Sequence, residues 1–179
     1  MLMPLDITWS WRAKSLPEEI KEELVRRLDL LRPYFPEMKS KMKIGITRLF
    51  DGLVFQSYEG AVKLMLDVHK TRKHGWRLPT YWTIAHELMH LAQFNSHGIP
   101  GGERACDVFG LSRVPPRFID ESPTFLAVPD SVREDWTPSE ALLAHELAKE
   151  AVNLRSSGLR NYAVWWENEF ERRIESVGK

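Results

Sequence analysis

Thr83-Ile84-Ala85-His86-Glu87-Leu88-Met89-His90-Leu91-Ala92 is the stretch on which the reading of this chain turns. It holds His-Glu-x-x-His within uncharged surroundings. On a helix, residues four apart lie about 40° apart around the axis and one turn apart along it. His86 and His90 can therefore point the same way and hold one metal ion. Glu87 sits about 60° from His90, on the flank of that seam, where it misses the metal but reaches a water held by it. Two neutral imidazoles and a carboxylate general base are what a zinc hydrolase needs. The competing explanation is a buried helix whose histidines are ordinary core residues. It has to desolvate adjacent His, Glu and His side chains with no metal, which is costly.

The surroundings predict a helix. Pro79 fits a first turn, where its missing N–H costs nothing, and Gly98 is a suitable stop. Tyr81, Trp82, Ile84, Ala85, Leu88, Met89, Leu91 and Ala92 fill about half the circumference. So apolar a helix is central, with His86, Glu87, His90 and Thr83 on a polar seam. Upstream, the period is two. Met42, Ile44 and Ile46 alternate with Lys43, Gly45 and Thr47, and Val62, Leu64, Leu66 and Val68 with Lys63, Met65 and Asp67. Asp51-Gly52 and Glu59-Gly60 are turn signals around a shorter strand, Val54 to Tyr58. An antiparallel meander is expected, joined to the helix by a basic loop from His69 to Leu78, most simply a solvated one. Its Lys and Arg residues would suit an acidic substrate or a phosphate backbone. The chain has 25 Lys+Arg against 25 Asp+Glu, and that balance speaks against a nucleic-acid partner.

Earlier still, Ser15 and Glu18 read as a capping box with Pro17 between them, opening a helix on Ile20, Leu24, Leu28 and Leu31 that ends at Pro33 and Pro36. Its Glu and Arg residues make a solvated face. After Gly98, a helix is expected from Glu103 to Phe109. An irregular excursion follows from Arg113 to Asp130, with Pro115, Pro116, Pro123 and Pro129. Thr137-Pro138-Ser139-Glu140 is a second capping box, opening a helix to about Ser156. A last helix carries Tyr162, Val164, Trp165, Trp166, Phe170 and Ile174. Ala-His-Glu-Leu recurs at Ala144, but four residues after His145 stands Lys149, so this copy cannot form the two-histidine clamp.

With 179 residues, 43% hydrophobic and 28% charged, the chain reads as one soluble globular domain spanning 1–179. It has no apolar run of membrane-span length and no signal-peptide pattern at its start. The single Cys106 excludes an internal disulfide and fits a reducing compartment, so a cytoplasmic location is expected.

A catalytic zinc usually takes three protein ligands and leaves a place for water. The metzincin pattern requires Gly three residues and His six residues after the second histidine. Gln93 and Ser96 stand there instead. His97 lies two turns beyond His90, about 10 Å away on a straight helix. Cys106 could bind as a thiolate but is expected off the face shared by Glu103 and Asp107. Glu103 is the best candidate: it opens a separate helix after the Gly101-Gly102 reversal, with Asp107 one turn on.

His86-Glu87-x-x-His90 followed by Glu103-x-x-x-Asp107 resembles the gluzincin metallopeptidases, in which a glutamate helix supplies the third zinc ligand. The Glu-x-x-x-Asp form is similar to the membrane-bound M48 and M56 families. The small size looks more like their soluble relatives, the minigluzincins. The resemblance covers Met42 to Gly110. It implies an α+β, zincin-like fold: a small antiparallel sheet packed on the central His-Glu-x-x-His helix, a glutamate helix, and further N- and C-terminal helices. It implies zinc on His86, His90 and Glu103, Glu87 as general base, and Asp107 as partner of a histidine ligand. The spacing from His90 to Glu103 is short for the family, and Cys106 stands where a small apolar residue is usual.

The expected function is a zinc-dependent endopeptidase acting on peptides or unfolded protein. The Pro-rich excursion and the C-terminal helices are available to cover the cleft, so latency is expected. No residue stands out for oxyanion stabilisation; His145, Tyr162, Arg155 and Arg160 are available. The alternatives are a zinc protein that hydrolyses another amide or binds a partner, and a metal-free helical module.

Overall fold

A computed structural model describes residues 5–38, 41–48, 52–56 and 62–177. The fold is α+β, and the chain forms two compact units, Met1–His97 and Gly98–Lys179.

The first unit opens with strand β1 (Asp6–Trp9) and helix α1 (Glu18–Leu31), followed by β2 (Lys41–Thr47). Ile20, Leu24, Leu28 and Leu31 form the buried stripe of α1, as their spacing predicts. The predicted capping box does not form. Pro17 is the cap residue and makes no side-chain bond, while Ser15 belongs to a preceding turn and donates its hydroxyl to the Arg12 carbonyl at 2.8 Å. On the exposed face, Arg26 holds the Glu23 carboxyl down to about 2. Arg27 bonds the same carboxylate at 2.8 Å, donates to the Pro79 carbonyl, and lies 5.1 Å over the Tyr81 ring. These contacts fasten α1 to the start of the next helix.

Strands β3 (Gly52–Gln56) and β4 (Val62–Asp67) complete a four-stranded sheet in the order β1-β2-β4-β3. The sheet is mixed, not the antiparallel meander expected. β1 and β2 are parallel, β2 and β4 are parallel, and only β3 runs antiparallel, to β4. The reason is insertion. β4 enters between β2 and β3, with Val62, Leu64 and Leu66 all buried, and so displaces β3 to the edge. Alternation assigns a strand's faces but not its neighbours. The Glu59-Gly60 turn signal lies outside the described residues.

The basic stretch expected as a loop is a hairpin of β5 (His69–Thr71) and β6 (Gly75–Arg77). Gly75 takes a positive φ of 73° in its turn, a conformation glycine adopts readily. Helix α2 (Tyr81–Asn95) follows. Its cap is Thr80, whose hydroxyl accepts the Thr83 N–H at 2.9 Å. β3 packs on α2, whose Ile84, Ala85, Leu88, Met89, Leu91 and Ala92 are fully buried.

The second unit contains α3 (Glu103–Arg113), α4 (Asp130–Glu134), α5 (Pro138–Ser156) and α6 (Tyr162–Val177). The Thr137 capping box forms as predicted: Thr137 Oγ1 accepts from Ser139 N–H at 3.2 Å, and Glu140 Oε2 accepts from Thr137 N–H at 3.0 Å. α3 and α6 pack on α5, which presents Ala141, Ala144, Ala148 and Ala151. Small residues there let the helices approach closely. Trp166 stacks on Phe170 at 4.8 Å and donates its indole N–H to the Ala144 carbonyl at 3.1 Å.

The Pro-rich excursion between α3 and α4 is irregular, as expected, but tied down at several points. The Arg133 guanidinium donates to the Pro123 carbonyl at 2.7 Å and the Leu126 carbonyl at 3.1 Å. Trp136 Nε1 donates to the Ile119 carbonyl at 2.9 Å. The excursion's own Phe118, Ile119, Leu126 and Val128 are buried.

Candidate metal centre

His86 and His90 lie one turn apart on α2, and the helix presents both on one side as their spacing requires. Their ring centroids are 5.1 Å apart with planes at 84°. His86 is 7% exposed, and the Trp82 ring meets it edge-on at 6.4 Å. His90 is half-buried.

Gln93, one turn beyond His90, places Oε1 3.0 Å from His90 Nδ1. With the proton on Nδ1, the ring donates to Gln93 and keeps the Nε2 lone pair for a metal. Sequence reasoning used Gln93 only to dismiss the metzincin pattern. The signal that could have found it is its i+3 spacing from a ligand histidine.

Glu87 is 7% exposed, with Oε2 fully buried. The side chain lies against the start of β3, where Gly52 leaves room for it. A Cβ added at Gly52 would fall 2.4 Å from Glu87 Cγ.

Among the described residues, the metal-ligating atoms of His86, His90 and Cys106 all lie within 4.8 Å of one another. These three side chains lie close enough to bind one metal ion. Cys106, expected off the face shared by Glu103 and Asp107, is the residue of α3 in that group. A residue three positions on is only about 60° around the helix, so Cys106 is on the flank of Glu103 rather than behind it. Cys106 is fully buried. Glu103, the first residue of α3, is exposed and is not in that group.

Asp107 is fully buried, and its Oδ2 accepts the Phe125 N–H at 2.7 Å. It therefore anchors the Pro-rich excursion to α3. The second Ala-His-Glu-Leu copy is structural: His145 Nδ1 lies 2.7 Å from the Leu111 carbonyl. Tyr162 is packed edge-on against Phe109 at 6.1 Å, beneath the Arg155 guanidinium, and burial raises its pKa. His69, in the hairpin, is taken up by Asp67 at 2.8 Å.

The donor set suits a borderline ion such as zinc, because imidazole and thiolate are poor partners for calcium or magnesium. No helix among the described residues is long and apolar enough to cross a membrane. No protein-family model, curated protein or solved structure matches this chain.

Proposed function

We propose that this protein is a zinc-dependent peptidase in which His86 and His90 hold the metal and Glu87 is the general base. The observation that carries the reading is the grouping of two imidazoles and a thiol within 4.8 Å, with a buried carboxylate on the residue next to one of them. The third ligand comes from α3. Geometry favours the Cys106 thiolate, whose sulfur is already in the group. The gluzincin resemblance favours Glu103, one turn earlier. The resemblance also gives Asp107 the part of partner to a histidine N–H.

Zinc bound here would lower the pKa of a water toward neutrality and polarise a substrate carbonyl. Glu87 takes the proton of the attacking water and passes it to the leaving amine. Burial shields its carboxylate from competing solvent. Gln93 holds the His90 ring in the tautomer that leaves Nε2 available. An extended peptide would lie along β3, whose outer side carries no strand among the described residues. β4 is no edge, being paired on both sides.

The test is Glu87→Gln, which keeps size and hydrogen bonding but removes the base. Its zinc content should match the parent, while cleavage of unfolded protein should fall about 10²–10⁴-fold. Unchanged cleavage by a zinc-loaded Glu87→Gln protein would rule out this mechanism.

A further inference from the structure

Gly52 is a glycine where the backbone does not ask for one. It sits in β3 paired with Leu66. Positive φ angles in the described chain belong to Gly75, Gly102 and Gly158 instead. An L side chain could therefore adopt the Gly52 backbone conformation. Glycine inside a strand weakens it and marks a point where something approaches closely.

What approaches is Glu87. A Cβ built on Gly52 would stand 2.4 Å from Glu87 Cγ, 2.7 Å from Cδ and 2.7 Å from Oε1. All three are well inside the carbon contact distance of about 3.5 Å. Gly45 makes an instructive contrast. A Cβ there would meet Met65 Sδ at 2.3 Å, but Met65 is half-exposed and flexible, so it can swing aside. Glu87 is 7% exposed on a helix that is buried around it. Its carboxylate has to leave the place it holds against β3.

We propose that Gly52 is a positioning residue for Glu87: the missing side chain makes a slot in β3 in which the carboxylate lies. Any side chain at 52 drives that carboxylate away from its working position. The functional consequence rests on the reading of Glu87 as general base. The steric contact does not.

The experiment separates the two. Thermal unfolding of metal-free parent, Gly52→Ala, Glu87→Ala and the double variant forms a double-mutant cycle. Gly52→Ala should lower Tm by several degrees in the parent and by clearly less once Glu87 is Ala. Equal losses in both backgrounds would overturn the proposal. If Gly52→Ala alone does not fold, folding of the double variant supports the slot, and failure of both overturns it. The zinc-loaded Gly52→Ala protein should keep its metal and lose about 100-fold in kcat, with KM little changed. Full activity with zinc bound would overturn the positioning role. A coupled cycle in a protein whose parent cleaves no peptide would leave the slot standing and sink the peptidase reading instead.

Discussion

Cys106 and Glu103 stand three residues apart on one helix, and the choice between them decides the third ligand of the metal site we propose. A buried thiol within 4.8 Å of both imidazoles is well placed to ionise on meeting a metal. The carboxylate of Glu103, at the first position of α3, is exposed and lies outside that group. Cys106→Ala is therefore expected to weaken zinc binding by about tenfold or more, while Glu103→Gln changes it little. Competition with a chromophoric chelator would measure both. The reverse pattern would restore the ligand set implied by the gluzincin resemblance. At this scale His86, Glu87 and His90 were legible because the helix repeat alone determines their grouping. Cys106 was not, because its place depends on how α3 is turned, which no local pattern in the sequence specifies. Gln93 was missed for a related reason: a glutamine three residues from a histidine is commonplace until the histidine is known to need a partner.

Among the elements, α5 shows a sequence signal that acts as written. Thr137, Pro138 and Glu140 occupy the cap, the first turn and the reciprocal position. Thr137→Ala should cost about 1 kcal/mol of stability, read as a lower denaturant midpoint with an unchanged m-value. An unchanged midpoint would mean the capping box contributes nothing measurable. The Ser15–Glu18 pair has a hydroxyl residue and a Glu at the same spacing, yet no box forms there, because Ser15 is drawn into the turn at Ala13–Ser15. Strand faces were legible in part: Met42, Ile44, Val62, Leu64 and Leu66 are buried as alternation predicts, but at the end of β2 Thr47 is buried and Ile46 only half-buried. Strand order was not. β1 is four residues long, too short to show a period, and the passage of β4 between β2 and β3 leaves no mark in the alternation. The β5–β6 hairpin was hidden because its exposed residues are mostly charged, a composition that reads as loop.

For the molecule as a whole, a net charge of zero gives no field to gather a polyanion. The Pro-rich excursion is held by Asp107, Arg133 and Trp136. Every functional statement depends on one fact about the whole chain, its metal content. Elemental analysis of protein purified without chelators measures it most directly. About one zinc per chain is expected, from a set of ligands that leaves one coordination place for water. A protein that carries no transition metal, and takes up none when zinc is added, would contradict the account at its centre.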